Sequence, residues 1–157
     1  MTILDQLAEH ARERVIEAKT IKSLDEITKE AYELGKGSFE FEKALRAKKQ
    51  QGDMAFICEC KKASPSKGLI AEYFDYLKIA LEYEDAGADC ISVLTEPKWF
   101  LGSNDYLKAI AASVKTPCLR KDFTIDEYMI YEAKVLGAKA VLLICSILSK
   151  EIGRAHV

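Results

Sequence analysis

The chain has 157 residues, 49% of them apolar and 31% charged, which suits one domain with a buried core and excludes a disordered segment. A net charge of -2 gives no field to draw nucleic acid or an anionic lipid surface, so an anionic ligand must be held by local positive groups. The longest apolar run, Ala140 to Leu148 with Ser146 inside it, is too short to cross a bilayer, and the charged opening MTILDQLAEHARER has no signal-peptide core, so a cytoplasmic protein is expected.

Apolar residues at Ile3, Leu4, Leu7, Ala8, Ala11, Val15, Ile16 and Ala18 have helical spacing, with Thr2 and Asp5 as a capping pair. A second helix is predicted from Leu24 to Leu34, capped by Ser23 and stopped by Gly35, and a short third from Phe39 to Lys48. The stretch from Glu26 to Lys49 reads as a solvated helical surface. From Met54 the pattern changes to strand-then-helix alternation. Strands are predicted at Ala55–Lys61, Cys90–Leu94, Thr116–Lys121 and Ala140–Cys145, and helices at Asp75–Ala86, Asn104–Ala112 and Asp126–Leu136. Strand starts lie about 25–35 residues apart, the length of a βαβ unit. Gly87-Ala88 and Gly137-Ala138 are each a helix stop feeding a strand.

Such alternation predicts a parallel sheet with covering helices. A doubly wound sheet announces itself with a G-x-G-x-x-G turn, which is missing here. A barrel needs eight units and about 250 residues, and only four units are present. Both architectures stay open on pattern alone. The five cysteines, Cys58, Cys60, Cys90, Cys118 and Cys145, are odd in number and sit in apolar runs, so reduced, buried thiols are expected. With no second cysteine pair, and only His10 and His156 as histidines, no metal site is expected.

Parallel α/β folds do their chemistry at the carboxyl ends of strands. Glu59 and Lys61 end the first strand two residues apart, hence on one face. Lys121 ends the third strand, followed by Asp122 and Phe123, and Trp99-Phe100-Leu101-Gly102 follows the second. Two ammonium groups and a carboxylate in one mouth would poise a proton donor near neutrality and hold an anionic substrate. The blander alternatives are a structural Glu59–Lys61 ion pair and a solvated Arg120-Lys121-Asp122 strand end. Trp99 suits a site wall and core packing equally. The aromatics from Tyr73 to Glu84, including Tyr76 and Tyr83, have the spacing of a packed helix face.

The residues Glu59-Cys-Lys61-Lys-Ala-Ser64-Pro65-Ser66 closely resemble the E-x-K-x-x-S-P-S signature of indole-3-glycerol phosphate synthases. Ile91-Ser-Val-Leu-Thr-Glu-Pro-Lys-Trp-Phe100-Leu-Gly-Ser103 is similar to that family's second motif, and Pro117-Cys-Leu-Arg-Lys-Asp-Phe123 matches P-x-L-x-K-D-F. The resemblance runs to about Lys150, as order-preserving motifs on successive strands do. It implies an α/β fold, a (β/α)8 TIM barrel of the ribulose-phosphate-binding type with about its first four units present. It divides the chain into an N-terminal helical extension over 1–53, which covers the barrel mouth, half a barrel over 54–150 and a non-native tail over 151–157.

The activity implied is ring closure of 1-(2-carboxyphenylamino)-1-deoxyribulose 5-phosphate to indole-3-glycerol phosphate, with loss of carbon dioxide and water and no cofactor. Lys121 matches the general acid, Lys61 the lysine on the substrate carboxylate, and Glu59 the glutamate that orients Lys61 and serves the dehydration half. Ser64 and Pro65 match the substrate loop, and Phe100, Phe123 and Leu142 the walls around the anthranilate ring. The family's second catalytic glutamate and its glycine-rich phosphate turns have no counterpart in these residues, so this stretch alone is expected to be inactive. The partner implied is a small sugar phosphate, not a membrane or nucleic acid. The full-length protein is expected as a monomer, or fused to or associated with other tryptophan-pathway enzymes. The rival readings are a self-associating half-barrel with an exposed edge at Val141–Cys145, and another sugar-phosphate barrel enzyme such as phosphoribosylanthranilate isomerase.

Overall fold

A computed structural model describes residues 2–148; the tail over 151–157 and His156 lie outside them. Three helices open the chain: α1 (Ile3–Ile21), α2 (Leu24–Glu33) and α3 (Glu40–Gln51). Thr2 with Asp5 and Ser23 with Glu26 each make a reciprocal capping box, so α1 and α2 begin where side chains satisfy their free N–H groups. The α2 stretch is not wholly solvated as expected. Ile27 and Ala31 are buried, and Ile27 joins Val15 of α1 with Tyr128 and Met129 in one apolar cluster.

Strands β1 (Ile57–Cys60), β4 (Cys90–Leu94), β5 (Cys118–Lys121) and β6 (Ala140–Val141) form a parallel sheet in the order β1-β4-β5-β6. Between them run α4 (Tyr76–Asp85), α5 (Asn104–Ser113) and α6 (Glu127–Val135). At the ends of α4 and α6 the same closure recurs. Gly87 and Gly137 take φ of 86° and 94°, and the N–H groups of Ala88 and Ala138 bond back to the carbonyls of Tyr83 and Ala133. A small hairpin, β2 (Ala63–Ser64) with β3 (Gly68–Leu69), follows β1. It was not legible as strand because each arm is two residues long.

Alternate residues divide the sheet into two faces. Cys60, Ile91, Val93 and Cys118 turn outward and pack with Ala80, Leu107 and Ile110 of α4 and α5. The register Glu59↔Ser92↔Leu119 places the intervening residues on the other, inner face. Helix α3 lies at the amino end of that face, where Cys90 Sγ donates to the Phe41 carbonyl at 3.8 Å.

Two expectations need correction. The fourth strand is Ala140–Val141, not Ala140–Cys145, and Cys145–Ile147 forms a 3-10 turn. Within the described residues β6 pairs only with β5, through Leu119 and Arg120, so one short ladder sets its length. Consequently Cys145 is exposed, not buried, and Cys58 is half-buried, whereas Cys60, Cys90 and Cys118 are buried thiols.

Candidate active site

Glu59, Lys61 and Lys121 come together at the carboxyl end of the inner face. Lys121 Nζ donates to Glu59 Oε2 at 2.8 Å, and Lys61 Nζ lies 3.1 Å from Oε1. The carboxylate thus holds both ammonium groups, one on each oxygen. A third donor, absent from the sequence reading, is the Ser92 hydroxyl at 3.0 Å from Oε2. Its signal was a lone polar residue at an alternate position of the buried run Cys90–Leu94. Partial burial pushes the Glu59 carboxyl up, but the hydrogen bond and charge of Lys121, helped by Lys61 and Ser92, hold it below its ordinary value. All three charged side chains keep roughly a third of their surface open, at 27% for Glu59, 36% for Lys61 and 34% for Lys121. They are fixed against one another yet accessible to a ligand.

The remaining expected site residues lie in the segments that follow β1, β4, β5 and β6. In the β2–β3 hairpin the buried Ser64 hydroxyl accepts the Lys67 N–H at 3.2 Å, and Pro65 is exposed at the turn. The rings of Phe100 and Phe123, from the loops after β4 and β5, stand 6.1 Å apart between centroids. Leu142 follows β6 with its N–H toward the Arg120 carbonyl at 3.4 Å. Continuing the Leu119↔Ala140 register sets it level with Lys121 on the inner face. Trp99 does not join the Phe100–Phe123 pair; its ring meets His10 edge-on at 5.4 Å, with Lys98 Nζ 4.6 Å above it.

The Arg120-Lys121-Asp122 segment is no solvated strand end. Arg120 and Asp122 are only 1% and 2% exposed. Arg120 bonds Glu132 at 2.7 Å, Asn104 at 3.0 Å and the Met129 carbonyl at 3.0 Å. Asp122 accepts two bonds from Arg14 at 2.7 and 3.1 Å, and the Thr95 hydroxyl at 2.6 Å. Burial pushes Asp122 up, but the Arg14 hydrogen bond, the Arg120 and Arg14 charges and Thr95 together hold it below its ordinary value. Arg14 and Asp122 stand 108 positions apart, a pairing that residue patterns do not report.

A second buried carboxylate, Glu96, ends the β4 run. It accepts the N–H groups of Lys98, Trp99 and Phe100 at 3.0, 2.7 and 3.0 Å and the His10 Nδ1 donor at 3.1 Å. The loop then returns over the strand end. A Cβ on Gly102 would lie 2.4 Å from the Leu94 carbonyl oxygen, so the backbone comes that near only because no side chain stands there. Among the described residues, no group of three or more His, Cys, Asp or Glu side chains is placed to hold a metal ion. A cavity of about 100 Å³ lies under α1 beside Arg14, Asn104, Arg120 and Glu132, away from the Glu59 cluster.

The family model for indole-3-glycerol phosphate synthase matches residues 4–155. The chain belongs to the indole-3-glycerol phosphate synthase family. The indole-3-glycerol phosphate synthase of Ruminiclostridium cellulolyticum is 51% identical over 156 residues, which are 99% of this chain and 58% of that protein. Its counterpart in Endomicrobium trichonymphae is 53% identical over 151 residues, 96% of this chain and 57% of the relative. That of Carboxydothermus hydrogenoformans is 47% identical over 148 residues, covering 93% and 56%. The chain therefore spans a little over half the length of these synthases.

Proposed function

We propose that the chain forms the first half of a (β/α)8 barrel whose complete form is an indole-3-glycerol phosphate synthase, a carbon–carbon lyase of tryptophan biosynthesis. In this reading residues 1–53 are the helical extension and 54–150 the first four strand–helix units. The single observation that carries it is the pairing of one carboxylate, Glu59, with two ammonium groups, Lys61 and Lys121, at the carboxyl ends of parallel strands.

The substrate carries two anionic ends and a ketone. Lys61 takes the anthranilate carboxylate, and the ring settles between Phe100, Phe123 and Leu142, with Ser64 and Pro65 bordering it. As the ring carbon bearing that carboxylate attacks the ketone, Lys121 transfers its proton to the carbonyl oxygen, which becomes a hydroxyl. Carbon dioxide then leaves with its bonding electrons returned to the ring. Loss of the hydroxyl as water, with removal of a ring proton, gives the indole; Glu59 serves this half. Because Glu59 also pairs with Lys121, the substrate carboxylate can replace Glu59 on Lys61 without leaving either charge bare.

The α/β fold and the parallel four-stranded sheet support this reading, as does family membership. The proposed setting is the cytoplasm, with a small sugar phosphate as partner; no helix among the described residues is long and apolar enough to cross a membrane. The test is an assay of indole-3-glycerol phosphate formation. The gene product extended through a second half-barrel turns the substrate over, and the 157-residue chain alone does not. An extended protein without turnover, or clear activity from this chain alone, contradicts the proposal.

A further inference from the structure

Two fully buried carboxylates shape the loops that carry the aromatic pair, and both find their counter-group on one helix outside the sheet. Glu96 gathers the N–H groups of Lys98, Trp99 and Phe100, and its other bond comes from His10. Asp122 accepts the Phe123 N–H at 2.8 Å and the paired bonds of Arg14. His10 and Arg14 stand four residues apart in α1, one turn of one face. Each therefore reaches a different loop from a single rigid element. Glu96 fixes the backbone of Phe100, and Asp122 fixes that of Phe123.

A carboxylate sealed from water needs charged or hydrogen-bonding partners, because an unpaired one is expelled or neutralised. Removing either α1 residue leaves a buried acceptor short of a donor, and its loop must rearrange to reach water. We propose that His10 and Arg14 are positioning residues, a two-point clamp through which α1 sets the separation of Phe100 and Phe123 and so the fit of the substrate's aromatic ring. The clamp rests on the lyase reading for its substrate, but its geometry is independent of that reading. Lys19, lower on the same helix, bonds Asp126 at 2.9 Å and touches neither buried carboxylate. It serves as the control.

The test compares His10→Ala, His10→Asn, Arg14→Lys and Lys19→Ala in the full-length enzyme. Asparagine places an amide N–H near the position of Nδ1, whereas lysine keeps the charge of Arg14 but loses the two-pronged geometry. His10→Ala and Arg14→Lys are expected to raise KM about five- to tenfold with kcat within about twofold, the signature of lost ring binding. His10→Asn restores most of KM, and Lys19→Ala leaves both constants unchanged. Unchanged KM in both clamp variants overturns the proposal, as does a parallel loss of kcat and stability in all four.

A readout without substrate separates this from failure of the lyase reading. Trp99 is the sole tryptophan of this chain, and the His10 ring covers one edge of it. In the full-length protein, with any tryptophan outside these 157 residues replaced by phenylalanine, His10→Ala raises the acrylamide quenching of Trp99 fluorescence about twofold or more, as a loosened loop exposes the ring. Quenching identical to wild type overturns the clamp even if the enzyme proves not to be a lyase.

Discussion

Glu59 and Lys121 sit on strands that do not touch, yet their side chains meet at 2.8 Å across β4. Lys121 pairs in register with Leu94, two residues beyond Ser92, while Glu59 lies opposite Ser92 itself. The long lysine stem runs back over β4 to reach the carboxylate, and it has room because Ser92, the residue in between, is small. The hydroxyl then adds its own bond to Glu59.

This arrangement predicts two outcomes at one position. Ser92→Ala removes a single hydrogen bond and lowers kcat/KM of the full-length enzyme about fivefold, the equivalent of roughly 1 kcal/mol. Ser92→Leu places a branched side chain between Glu59 and Lys121 and lowers kcat/KM by about a hundredfold or more. Steady-state kinetics of the pair check this; equal effects would mean that the room over β4 is irrelevant.

Much of the fold was legible because its signals are local. Thr2, Ser23 and Asp75 cap the helices they precede, and Cys90–Leu94 is a strand whose bounds match its apolar run. The Glu59, Lys61 and Lys121 trio was legible from strand alternation together with resemblance. The hidden part is long-range. His10 with Glu96 and Arg14 with Asp122 join residues 86 and 108 positions apart, and nothing in either segment marks its partner. For Arg120 and Asp122 the sequence leaves a solvated strand end open, because charged residues at strand ends usually are solvated; their burial follows from bonds to Met129 and Glu132 of α6 and to Arg14 of α1. The last strand ends at Val141, short of the apolar run's end at Cys145, because such a run carries no record of how far a neighbouring strand extends.

Acid should unfold the protein partly through Asp122. Its folded-state pKa lies below the ordinary value of 3.8, so the ion pair contributes stability that is fully present above that value and is lost as pH falls through the folded pKa. Denaturation midpoints at about pH 7 and about pH 3 therefore diverge in the wild type, and less so in Asp122→Asn, which has no proton to take up there. A variant with the same acid sensitivity would show that other carboxylates carry the whole effect.

Gly102→Ala tests the loop return. The added methyl meets the backbone oxygen of Leu94 at 2.4 Å, which cannot rotate away as a side chain would. The expected cost is about 1–3 kcal/mol, read as a lowered thermal midpoint. A midpoint equal to wild type would mean that the loop moves aside freely.

In the proposed reaction Lys121 supplies the proton for ring closure while Glu59 holds it in place. The most direct test is single-turnover formation of indole-3-glycerol phosphate by full-length Lys121→Met beside wild type, with substrate saturating. The rate is expected to fall about a hundredfold to ten-thousandfold in the variant, the usual contribution of a positioned general acid, with the substrate still bound. A variant that closes the ring at nearly the wild-type rate would contradict this role for Lys121.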